Sequence, residues 1–288
     1  MLSRPLLFVL SALSLLLFAC SSAPPTPLSA RHFADAKNNL QASDYKAALE
    51  NLDAAIKTTQ DDTVRQQASL LRVALLTALA DADQQLAEAY HVGAKQPPAQ
   101  SQTGAFYKER ADYNNAARNY LMDAMQAELE QRGKLGPNPI VIQIAYPGFT
   151  GGVDPGLAKI KSGILISDNE RANTELQMDR NAFASVLAEL AGVNQDLNKG
   201  RELYGAGAVN VDSRVYLVAF SDSFLSIGSM FDTRGINEPD KFRTVNQVVR
   251  GNLDIAEKLL AAKPDKDLET RVKKMEGDCD KCLKRLGA

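Results

Sequence analysis

An all-α fold, an array of paired helices, follows from three features of this 288-residue chain. Alanine and leucine are frequent, tryptophan is absent and aromatic residues make up only 6%, a balance that favours helices over a β-sandwich or barrel. Apolar residues recur at three- and four-residue spacing through most of the sequence, the period of a helix with one face in a core. Glycine and proline crowd into one stretch, 133–156, so the helical regime is broken there.

The first twenty residues stand apart. Arg4 is their only charge, Pro5 to Phe18 form an uncharged, mainly apolar run, and the small residue Ala19 directly precedes Cys20. A basic start, a short apolar run and a small residue at the cut make a secretory signal peptide. The run falls short of the roughly 20 apolar residues that a spanning helix needs. Leu17-Phe18-Ala19-Cys20 resembles the lipobox of bacterial lipoproteins. That resemblance implies removal of residues 1–19 and a mature N-terminal Cys20 carrying a diacylglycerol thioether and an acylated amine. Acyl chains add about 0.8 kcal/mol of membrane affinity per buried methylene, and two or more chains hold a protein stably. Ser21 follows the cysteine; in a Gram-negative host the sorting rule that goes with the resemblance implies the outer membrane, facing the periplasm. Residues 20–31, rich in Ser and Pro, read as the tether.

The elements are then read in order. An N-terminal helical region is expected over 32–133. It opens with two short helices, 33–43 and 45–59, split at Ser43-Asp44-Tyr45, and the second carries the inward stripe Ala48, Leu52, Ala55, Ile56. This pair resembles a tetratricopeptide repeat, a 34-residue helix-turn-helix. The likeness rests on Asp44-Tyr45 at the turn, on Ala48, Leu52, Ala55 and Ile56, and on Ala36 in the first helix. His32, Asp35 and Gln60 depart from the pattern's aromatic, leucine and proline. Asp62 to Gly93 is a longer helical region around Leu70, Leu71, Leu75 and Leu79, with a polar step at Asp81-Ala82-Asp83 as a candidate turn. A Pro/Gln-rich linker, 96–104, leads to one long helix from Phe106 to Gln131 that stops at Gly133.

Residues 134–156 form the Gly/Pro-rich connection, taken as the boundary between two helical halves. Inside it, the β-branched run near residues 139–146 predicts a short extended segment, which must find a partner for its backbone groups. The C-terminal helical region covers 157–288. It holds a short helix from Asp154-Pro155, a long one capped by Ser167 or Asp168 through Leu190, and a short piece over 193–204. Asp212 opens a very apolar helix with Leu217, Phe220, Phe224 and Ile227; its wide apolar circumference marks it as central to a core. Glu238-Pro239 starts an amphipathic helix that Pro264 stops, and a highly charged helix follows from Lys266 to Leu286.

Chemistry is sparse. With 32 Lys plus Arg against 35 Asp plus Glu after loss of Arg4, the mature chain carries about −3, and no basic patch points to nucleic acid. His32 and His91 are the only histidines and fall in different helical units, which leaves no metal site or histidine-activated nucleophile in view. No phosphate-binding or hydrolase motif is present, so neither cofactor nor metal is expected and the chain does not read as an enzyme. A pair of carboxylates brought together by folding is the one catalytic arrangement that sequence cannot reveal. Tyr107, Tyr113, Tyr120 and Tyr146 are either groove-lining or half-buried packing residues. Cys279 and Cys282 remain once Cys20 is lipidated; an even pair in an oxidising compartment, three residues apart on a helix, predicts a structural disulfide.

The expected function is that of a lipid-anchored scaffold, held to the membrane through Cys20, whose concave face binds a protein or peptide, because stacked helix pairs create such surfaces. Two alternatives stay open. One is an accessory protein for a small-molecule solute, since the lipobox-plus-helical-pairs plan is similar to that of periplasmic lipoproteins associated with TRAP-type transporters. The other is an envelope enzyme built on a carboxylate pair.

Overall fold

The computed structural model describes residues 27–150, 152–232 and 238–287, so Cys20 and the signal region lie outside the described residues. The chain is an all-α array of ten helices with one two-stranded ribbon among the described residues. No helix in them is long and apolar enough to cross a membrane.

The opening hairpin joins α1 (Leu28–Ala42) to α2 (Tyr45–Thr58). Ser43 takes a left-handed backbone (φ 61°) that ends α1, and the Asp44 carboxylate caps α2 by accepting from the Ala47 amide. Residues 28–31, expected in the tether, are the first turn of α1. The central element is α3 (Asp62–Gly93), 32 residues without a break. The turn expected at Asp81–Asp83 is absent: alanines and leucines on either side sustain the helix, and the two aspartates leave it in different directions. A 3-10 turn (Pro97–Gln102) returns the chain into α4 (Thr103–Arg132), which packs antiparallel along α3. Tyr90 of α3 meets Phe106 edge-on and stacks on Tyr113 of α4 at 5.5 Å.

The extended segment forms as β1 (Ile140–Ile142) and pairs antiparallel with β2 (Val209–Val211), Ile140 opposite Val211. Between them lie α5 (Pro155–Lys161), α6 (Asp168–Leu190) and α7 (Leu197–Gly205). Of the two residues expected to cap α6, Ser167 does so, and Glu170 completes a reciprocal capping box with it. After β2 comes α8 (Ser213–Gly228), capped by Asp212, with Tyr216, Phe220 and Phe224 fully buried. A 3-10 turn (Ser229–Asp232), α9 (Pro239–Ala262) and α10 (Lys266–Arg285) complete the array.

The Gly/Pro-rich stretch does not divide the core. α6 and α8 both pack on α3, and α4 also touches α8 and α9. A single hydrophobic cluster therefore runs from Phe33 to Cys279. Within it sits a buried polar knot. Glu128 and Gln131 of α4 and Asn252 of α9 are almost wholly inaccessible, as is Tyr216 of α8. Arg132 ties two helices by donating to Asn252 Oδ1 (2.8 Å) and the Val248 carbonyl (3.2 Å).

Candidate functional site

A helix buried along most of its length, as α3 is, has few reasons to carry polar side chains. Thr77, Asp81, Gln84, Glu88 and His91 nevertheless recur at helical spacing and so share one face. That face is the floor of a groove. Two hollows of about 160 and 590 Å³ lie along it, and a third of about 240 Å³ continues the groove beyond it, between α4 and the turn after α8. Asp81 and Ser226 border the first two, while Arg110, Asn114 and Met230 border the last two. The far wall comes from α8 and the turn after it, and the near wall from α4. From Thr77 to His91 the floor runs about 21 Å, at 1.5 Å per residue.

The groove is polarised. At its Thr77 end stand Asp81, Glu189 and Asp222. Glu189 is buried and held by Arg271 of α10 at 2.5 Å; the same guanidinium reaches Asp222 at 3.2 Å. Burial raises the pKa of Asp81, against the opposing hydrogen bond from Gln85 (2.8 Å). At the other end lie His91, Lys95 and Arg110. Burial lowers the His91 pKa, and the positive charges of Arg110 and Lys95 lower it further. Beyond them Arg118 pairs with Glu238 at 2.6 Å, closing the end of the groove next to the exposed ring of Tyr107.

Asp83 leaves α3 on another side and enters a second cleft, of about 400 Å³, between α3, α4 and α6. Asp179 and Glu175 enter it from α6, Tyr113 and Tyr120 from α4. Burial, with the charges of Asp179 and Glu175, pushes Asp83 up to about 8, and burial with Glu175 pushes Asp179 up to about 7. The Tyr113 hydroxyl donates to Glu175, and Arg171 pairs with Glu109 at 3.0 Å on the rim. The cleft thus holds a protonated carboxyl beside other carboxylates near neutral pH, which is what general-acid chemistry needs.

Of the tyrosines singled out in the sequence, Tyr107 lines the groove and Tyr113 and Tyr120 line the acid cleft. Tyr146 is a packing residue, tilted against Tyr204 and donating to the Ala184 carbonyl at 2.7 Å. Cys279 and Cys282, the pair singled out in the sequence, are both free thiols. Cys279 continues the buried stripe Leu268, Val272, Met275 of α10, while Cys282 sits at the margin of the core. Burial pushes the Cys279 thiol up to about 12, which makes it a poor nucleophile. Asp254, Glu257 and Glu276 bring carboxylate oxygens within 4.8 Å of one another. Arg250 already pairs with Glu276 there at 2.8 Å.

Compared with protein-family models, curated proteins and solved structures, the chain matches none.

Proposed function

We propose that this chain is a lipid-anchored scaffold of the bacterial envelope whose groove along α3 holds an extended segment of a protein partner. The observation that carries the reading is the polar stripe Asp81, Gln84, Glu88 and His91, which faces the groove from a helix whose middle is buried, with Thr77 buried at the stripe's end. About 21 Å of floor seats roughly six extended residues at about 3.3 Å each. The acidic and basic ends favour a segment with a basic residue at one end and an acidic one at the other. Most residues that line the two hollows along α3 are of polar type, as expected for a peptide that brings its own backbone donors and acceptors. The anchor at Cys20, outside the described residues, would hold this surface at the outer membrane.

Ser226 is exposed and borders two of the three hollows, so Ser226→Trp obstructs the groove without entering the core. A pull-down from native envelopes is expected to recover a partner with the wild-type protein and lose it with Ser226→Trp, while both variants melt alike. The reading fails when both retain the same proteins, or when the wild type retains none and carries a bound small molecule. Labelled palmitate is expected in the wild type and not in Cys20→Ala.

A second reading rests on the acid cleft. Asp83, protonated near neutral pH, would be the proton donor of a carboxylate-assisted hydrolysis such as that of a glycoside. Purified protein that cleaves cell-wall glycan, with the activity abolished in Asp83→Asn, supports it; inert wild-type protein removes it.

A further inference from the structure

We infer that the hollow at the Thr77 end of the groove is an anchor pocket for a primary ammonium group, the side-chain head of a lysine in the bound segment. The inference rests on the groove reading above and gives its partner a chemical identity.

Two independent observations converge on the pocket. The first is Thr77. Its side chain is fully buried, lines the pocket, and its hydroxyl oxygen has no hydrogen-bond partner among the described residues. A helical threonine normally turns its hydroxyl back onto the carbonyl one turn earlier; here the oxygen is left for something else. A buried hydroxyl without a partner destabilises a fold, so a ligand atom placed against it recovers a real deficit. The second is the charge around it. Asp81, Glu189 and Asp222 border a space of about 160 Å³, and among the described residues the only cation bonded to any of them is Arg271, which bridges the last two. Three acids and one base leave the pocket short of positive charge.

The shape of the deficit selects the ligand. Arg271 already holds the guanidinium position on Glu189 and Asp222. What is missing is a compact donor between Thr77 and Asp81. An ammonium on a flexible stem presents three donors at a point, whereas a guanidinium is a planar fork that needs a longer slot. The hollow's small size excludes a whole folded element and admits the end of one side chain.

The same chemistry is available from a free small amine, and the test separates the two sources. The lipidated protein in detergent micelles is used to select from a displayed library of random hexapeptides, and pentylamine is titrated calorimetrically. Selected peptides are expected to carry lysine at one fixed position. Replacing that lysine by norleucine is expected to weaken binding about tenfold, the loss of one charge-assisted hydrogen bond. The Thr77→Val/Asp81→Asn double variant is expected to bind both peptides alike. Thr77→Val by itself is expected to melt no lower than wild type, which separates lost selectivity from lost folding. Selected peptides with no lysine preference, or with arginine preferred, overturn the ammonium pocket and leave the groove reading standing. Pentylamine binding that Thr77→Val/Asp81→Asn removes, without any peptide selected, keeps the pocket and overturns the segment. Neither peptide nor amine bound overturns both.

Discussion

Replacing Glu128 by glutamine is expected to raise stability at pH 8 by roughly 3 kcal/mol and to flatten its dependence on pH. Glu128 lies wholly inside the core, and neither carboxylate oxygen has a hydrogen-bond partner among the described residues. Burial pushes the carboxyl from 4.5 up to about 7, outweighing the nearby Arg132 charge that favours the ionised form. A folded-state value above the unfolded one means that the folded protein holds the proton more tightly. The stabilisation is fully present below about 4.5 and is lost as pH rises through about 7. Wild-type protein is therefore expected to resist urea better at pH 5 than at pH 8. Asp83 and Asp179 push in the same direction, though solvent reaches both and weakens their share. Asp212, held down to about 2 chiefly by Arg214, matters only under acid conditions, where its contribution is lost as pH falls. His91, with a lowered pKa, opposes the trend below about 6.5. It is common to both proteins, so the difference between wild type and Glu128→Gln isolates Glu128. Urea unfolding at pH 5, 6, 7 and 8 is the measurement. Parallel curves for the two proteins would refute the assignment.

Gly93→Ala is expected to destabilise by about 3 kcal/mol, at the upper end of overpacking effects. Gly93 ends α3, and the backbone of α5 crosses over it. A Cβ there would stand 2.0 Å from the Ile160 carbonyl oxygen and 2.6 Å from Cε1 of Phe106. A ring edge can shift, but a carbonyl in a helix cannot rotate away without breaking its ladder. α5 would have to lift from α3, exposing Leu157 and Ile160, both now buried. Gly277→Ala provides the contrast. It lies within α10 with nothing inside 4 Å of the added carbon, so removing a helix glycine is expected to add about 1 kcal/mol. Thermal melts of the two variants are predicted to move in opposite directions. A Gly93→Ala protein that melts with wild type would place α5 elsewhere.

The parts of the fold that show in the sequence are those decided within a few residues. The Ser167–Glu170 capping box, the Asp212 cap, the Ser43-Asp44-Tyr45 turn and the bounds of α3 depend on local chemistry and are visible there. Val209–Val211 is not, because a three-residue strand exists only through its partner, and Ile140–Ile142 lies about seventy residues away. Asp81 and Asp83 show the same limit at the site. Two acids one residue apart in an apolar run look like a break in the helix. Once α4, α6 and α8 surround α3, they prove to serve two different openings. The spacing of Thr77, Asp81, Gln84, Glu88 and His91 is a sequence signal for the groove that carries weight only when the helix is known to be continuous. The cysteine spacing establishes reach between two sulfurs and no more, and the packing of Cys279 into the core is a tertiary fact.

The groove is the claim on which the functional account turns, and site-specific photo-crosslinking in intact cells tests it most directly. A benzophenone amino acid at Glu88 or Ser229 faces the groove, whereas one at Asp112 faces the acid cleft. The account predicts that the first two positions capture one and the same protein through a single short segment, identified by mass spectrometry of the adduct, and that Asp112 does not capture it. Adducts at Asp112 that match those at Glu88, or none at either groove position, would contradict it.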